Sequence, residues 1–178
     1  EAMLFHLDDE MLLAEPGLRV ALALALLLSR EMHGRGFFRA LLLVPWVIPD
    51  AATALIWKWL YADQYGVFNF LLISFGLVDR QIQWLADPKT ALYAVLVAAV
   101  WRQVGYVMVL YLAGLKGTDP SLDDASAVDG AGPWQRFWYV TWPQLRGVNT
   151  VVFAVTVIDS LRTFDIVWAM TQGGPYHS

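Results

Sequence analysis

An all-α, polytopic helical membrane protein with about four spans is the fold class that this sequence predicts, on three observations. Of its 178 residues, 58% are hydrophobic and only 16% charged, where a soluble domain carries about a quarter charged residues, and the mean hydropathy is +0.49. Three apolar runs, Phe38 to Leu60, Thr90 to Leu115 and Gly147 to Met170, each reach the roughly 20 residues that a helix needs to cross a bilayer. Prolines and polar residues inside these runs sit where a lined cavity, and not lipid, would satisfy them.

The elements follow in order. Leu18 to Leu28 is only about half a bilayer thick and follows Asp8, Asp9, Glu10 and Glu15, where a signal-peptide core would follow a basic stretch. It reads as the inner half of a truncated or tilted span. Phe38 to Leu60 carries Pro45 and Pro49, each of which removes a backbone donor, so this span is expected to bend. Val67 to Leu77 is too short to cross and is placed at the interface, flanked by Tyr61, Tyr65 and Trp84. Thr90 to Leu115 carries Arg102 and Gln103 at mid-depth; Arg102 and Lys58 are expected to snorkel or pair. The last run holds Asp159, Arg162 and Asp165, the first two read as an ion pair.

Lys and Arg in short loops favour the cytoplasmic side. Arg30, Arg35, Arg39, Lys116, Arg136 and Arg146 place 29–37 and 116–146 inside, and 61–89 and the C-terminal Gly173-Gly174-Pro175 outside. The net charge of −4, with basic residues scattered singly, speaks against a nucleic-acid partner. There is no cysteine, and His6, His33 and His177 are too far apart to suggest a metal site. The start at Glu1 and the stop at Ser178 read as a fragment of a longer chain, a single transmembrane domain whose flanking spans are missing.

The inside loop is the most informative stretch. Asp119 can cap a helix with Pro120 in its first turn, Asp123 and Asp124 suit the positive helix end, and Gly130 supplies the left-handed stop. Leu122, Ala125 and Val128 fall on one face among small residues, as in a docking helix. Pro133 then opens a second short helix, 134–142, whose Trp134, Trp138, Tyr139 and Trp142 suit a headgroup-level position.

Asp124-Ala125-Ser126, then Asp129-Gly130-Ala131-Gly132-Pro133 and Pro143, resemble the "EAA" loop (Glu-Ala-Ala-x-x-x-Gly) of binding-protein-dependent ABC importer membrane subunits. Arg35-Gly36-Phe37-Phe38-Arg39, the Pro45/Pro49 pair, Gly66 with Asn69, Trp84-Leu85 with Asp87-Pro88, Trp101 and Thr171-x-Gly173-Gly174-Pro175 follow in the order of the carbohydrate-importer branch. Within it, the chain is most similar to the first permease subunit of maltose-type and glycerol-phosphate-type systems. Asp124 and Ser126 depart from the family's Glu and second Ala.

The resemblance implies a multi-pass cell-membrane permease of a sugar importer. Its partners would be a second related membrane subunit, two cytoplasmic ATPase subunits and an external solute-binding protein. The coupling residues would be Asp124, Ala125, Ser126, Asp129, Gly130 and Ala131. The chain has no P-loop sequence of its own, so no cofactor and no catalytic residue are expected here and ATP would be bound by partner subunits.

Thr156, Ser160 and Thr163 form one polar stripe at i, i+4 and i+7, and the resemblance implies that they line a sugar site with Gln103, Tyr106, Trp46 and Asp50. On the residues alone, Trp46 offers a sugar ring an aromatic face, and Asp50 and Gln103 are polar groups too costly to leave facing lipid. Asp50 could bind paired hydroxyls, and a carboxylate there would disfavour an anionic substrate, which favours a neutral sugar over a phosphorylated one. Thr and Ser on membrane helices also pack against neighbours or bond to their own backbone, which leaves a rival reading open: a scaffold or assembly protein that uses the inside loop only for docking. An intramembrane enzyme would need paired acids at one depth, and Asp50 is placed apart from Asp159 and Asp165.

Overall fold

A computed structural model of the chain describes residues 16–162 and 164–171. Among them there is no strand; the helices are α1 (Pro16–Ser29), α2 (Arg35–Val47), α3 (Asp50–Leu60), α4 (Val67–Ser74), α5 (Pro88–Lys116), α6 (Pro120–Val128), α7 (Pro133–Arg136), α8 (Trp142–Gln144), α9 (Arg146–Arg162) and α10 (Phe164–Thr171). A π-helical turn, Phe137–Thr141, joins α7 to α8. Proline opens α1, α5, α6 and α7, a position where the missing N–H would have had no helical partner anyway.

The chain divides into two compact units, residues 1–43 with 104–158, and residues 44–103 with 159–178. In the first, α1 buries Leu18, Ala21, Leu22, Ala25 and Leu28, a single helical face, against Val107, Met108, Tyr111 and Leu112 of α5, with Leu145 and Val152 completing the core. Gly105 lets the backbones of α2 and α5 meet: a Cβ there would run into the Leu42 carbonyl. Arg39 donates to the carbonyl of Leu28, so the Arg-Gly-Phe-Phe-Arg motif closes the last turn of α1.

In the second unit, Ala54, Trp57 and Tyr61 pack with Ala94, Val95 and Ala98 of α5 and with Ile166 and Met170 of α10. Trp57 is ringed by Tyr61, Phe68 and Trp101 at centroid distances of 5.4, 5.9 and 5.5 Å. The loop after α3 is pinned by one amide. Asn69, buried on α4, donates through Nδ2 to the carbonyls of Asp63 (3.1 Å) and Ile82 (2.9 Å), and its Oδ1 accepts from the Ile82 N–H (3.1 Å) and Trp84 Nε1 (3.2 Å). All four bonding positions of the side chain are used. The opposite side of α4 exposes Phe70 and Ile73, followed by Phe75 and Leu77.

One helix, α5, is by itself long and apolar enough to cross a membrane, at 29 residues or about 43 Å. The expected bend between Pro45 and Pro49 is a break: α2 ends at Val47, Pro49 takes an extended ψ of 146°, and α3 restarts at Asp50. The two segments reach membrane length and apolarity only together. α1, with 14 residues, is short for a span, and α9 has 17. The π-helical turn interrupts the regular helix expected over 134–142, and Trp142 is buried in the first unit's core, not held at a surface.

Candidate functional site

Two groups of residues carry the functional expectation. The loop 116–146 lies within the first unit. Asp119 caps α6 by accepting the Ser121 N–H at 2.9 Å, and its carboxyl is held below its ordinary value, first by that backbone bond and then by the Ser121 side chain. The other end of α6 is stopped by Gly130 at φ +84°. The Ala131 N–H reaches the Ser126 carbonyl (3.0 Å) and the Gly130 N–H the Ala127 carbonyl (3.1 Å), the two bonds of a Schellman motif.

Two contacts then fix α6 on the turn that follows it: the Asp119 N–H donates to Gln144 Oε1 at 2.8 Å, and Arg136 pairs with Asp123 at 3.2 Å. The Gly132 N–H donates to Gln135 Oε1 at 2.9 Å and caps α7. Asp123 thus serves the loop's own packing, while Asp124, Ala125, Asp129 and Gly130 are exposed and Ser126 and Ala131 half-buried. Leu122 and Val128 stand in the open, Val128 at 89% exposure, and Trp134 and Tyr139 are likewise uncovered. The loop presents a capped helix on which Leu122 and Val128 are exposed beside Asp124.

The second group lies on α2, α3, α5 and α9. Trp46, Asp50, Gln103 and Ser160 belong to the second unit, and Tyr106 and Thr156 to the first. Thr163 lies outside the described residues. Asp50 is the first residue of α3, and Arg102 Nε meets its Oδ1 at 2.5 Å, both side chains 19% exposed. The neighbouring Gln103 donates to Asp159 Oδ2 at 3.1 Å. Consecutive residues of α5 therefore hold carboxylates from α3 and α9. Asp50 is not the free carboxylate that favoured a neutral sugar, and Asp159 has Gln103 as a partner; the Arg162 side chain expected to pair with it lies outside the described residues.

Thr53, fully buried one turn beyond Asp50, has an Oγ1 with no partner, as does the Thr156 Oγ1. On the loop that Asn69 pins, a polar groove of about 830 Å³ is lined by residues including Asp63, Asp79, Arg80, Gln81, Gln83 and Asp87. Among the described residues no cluster of acids or histidines could hold a metal ion. Sequence reasoning missed the Asp119–Gln144 and Asp123–Arg136 contacts. Their only signal was that the loop's four acids, Asp119, Asp123, Asp124 and Asp129, lie in its first half and Arg136 and Arg146 in its second.

An all-helical chain with a broken apolar helix, ionisable residues paired within it and a protruding capped helix is the class of a membrane subunit. The chain belongs to the family described as the binding-protein-dependent transport system inner membrane component, which it matches over residues 17–175. It is 36% identical over 165 residues to a probable ABC transporter permease protein of Pyrococcus horikoshii, covering 92% of this chain and 56% of that protein. It is 37% identical over 156 residues to the trehalose/maltose transport system permease protein MalF of Thermococcus litoralis, covering 88% of this chain and 52% of the relative. The chain thus spans about half the length of the curated relatives it matches. A bacterial ABC transporter involved in import of the acidic polysaccharide alginate shares the fold, with a TM-score of 0.70 and 22% identity over 85% of this chain and 52% of that one.

Proposed function

We propose that the chain is the membrane-spanning part of a permease subunit of an ATP-driven sugar importer, carrying part of the translocation path and coupling it to separate ATPase subunits. It is read as one transmembrane domain with about four spans, α1, the broken pair α2–α3, α5, and α9 with α10, and with 116–146 as the cytoplasmic coupling loop. Trp46, Asp50, Gln103, Tyr106, Thr156, Ser160 and Thr163 are the proposed sugar-lining residues. The family is an inner membrane component, and names among its relatives, trehalose/maltose in one and alginate in another, support a saccharide.

The observation that carries the coupling role is the capped, protruding α6, with Leu122 and Val128 exposed beside Asp124 and Asp129. Seated in an ATPase cleft, it would turn closure of the ATPase pair into rigid-body rocking of the spans, opening the sugar site alternately to each side. No group in this chain needs to touch ATP, so neither a catalytic residue nor a bound cofactor is called for. The second membrane subunit would complete the path, and the polar outer groove and its loop offer a surface to an external solute-binding protein.

Uptake of radiolabelled disaccharide by the full-length protein, reconstituted with its second membrane subunit, ATPases and binding protein, tests this reading. Thr156→Leu with Ser160→Leu is expected to lower uptake about tenfold or more while the complex stays assembled, since two hydroxyls of the path are lost. Unchanged uptake would favour a scaffold that uses the loop only for docking.

A further inference from the structure

The Asp50–Arg102 ion pair between α3 and α5 is half included in the sugar-lining set, which holds Asp50 and leaves out Arg102. Three observations bear on it. The pair stands at the break after Pro49, where the helical ladder is interrupted, and irregular backbone at membrane depth is tolerated where it lines a cavity or is packed in protein. Each side chain keeps 19% of its surface exposed, so the pair is not sealed in the core. Asp50 engages Arg102 through Nε, one of five donors in the planar guanidinium, and so does not exhaust it. One turn further along α3, the buried and unpartnered Thr53 hydroxyl adds another polar group.

We propose that Arg102 is a specificity-determining residue of the saccharide path, where it cancels the Asp50 carboxylate and so sets the net charge that a passing saccharide meets. The proposal rests on the sugar-importer reading above and adds to it a residue and a rule. A lone carboxylate at the break repels uronates, a lone guanidinium attracts them, and the intact pair is neutral toward both. In a site of low effective dielectric such a change in one unit charge outweighs the loss of a single hydrogen bond.

The test is equilibrium binding of two probes of equal length, a neutral glucan trisaccharide and a uronate trisaccharide, to the full-length complex with its second membrane subunit and ATPases. Asp50→Asn is expected to raise the uronate-to-glucan affinity ratio about tenfold or more, and Arg102→Gln to lower it by a similar factor. The double variant should return the ratio to that of the wild type, and Arg102→Lys, which keeps the charge, should preserve it. A pair with a purely structural role weakens both probes alike or disrupts assembly, and a ratio unchanged in the assembled variants overturns the proposal alone. Should the single variants not assemble, a shifted ratio in Arg102→Lys or in the double variant overturns it. A wild-type complex that binds neither probe overturns the sugar reading and the proposal with it.

Discussion

Asn69 bonds to two carbonyls, one N–H and one indole from the two stretches of loop on either side of α4, so removing it strands four groups at once. Asn69→Leu is expected to destabilise the protein by about 3 kcal/mol or more, read as a lower melting temperature and as new proteolytic cuts within 61–89. Asn69 stands out in the sequence as a polar residue in an otherwise apolar helix, yet its partners at 63, 82 and 84 lie up to 15 residues away and follow from no local pattern. The Asp119 carboxyl shows the converse, a role legible from the Asp-Pro pair alone. Its lowered pKa means that the native state prefers the ionised form. The cap's contribution is full above the ordinary aspartate value and is lost as pH falls through the lowered one. Acidification below the ordinary range should therefore loosen α6 in wild type, and amide exchange at 120–124 would report it; Asp119→Asn, with no carboxyl to titrate, should show no such step.

Helix ends in this chain were readable because caps are local: proline at the start, glycine in the left-handed region at the stop. Gly130→Ala puts a Cβ at φ +84° and should cost about 1 kcal/mol, measurable as reduced protection of α6. The close approach of α2 and α5 at Gly105 had no such signal, since a glycine within an apolar run gives no sign of what it faces. Gly105→Leu, forced against the Leu42 carbonyl, is expected to cost about 3 kcal/mol or more and to lower the yield of monodisperse protein. The π-helical turn at Phe137–Thr141 was equally hidden. It interrupts the i, i+4 run of Trp134, Trp138 and Trp142, and Trp142 enters the core instead of lying at a headgroup level.

For the molecule as a whole, apolar content and run length made an all-helical membrane chain evident, and the prolines marked where the second run breaks. Long-range pairings were not evident. Asp50 meets Arg102, and Gln103 meets Asp159 across 56 residues, because burying an ionisable group selects whichever partner the fold brings near and not the one nearest in sequence. The expected pairing of Asp159 with Arg162, three apart, rests on a side chain outside the described residues. In the exposed loop the helix ends at Asp119 and Gly130 were legible, since capping residues act locally, while its Asp119–Gln144 and Asp123–Arg136 contacts were not. Coupling through that loop is the central claim of the proposed function. It is tested most directly with the full-length protein co-expressed with its second membrane subunit and ATPase, by asking whether the ATPase still co-purifies when Asp124→Lys and Gly130→Val are introduced. Loss of the ATPase while the two membrane subunits remain paired is the predicted result. Retention of the ATPase at wild-type stoichiometry would contradict the coupling role of 116–146.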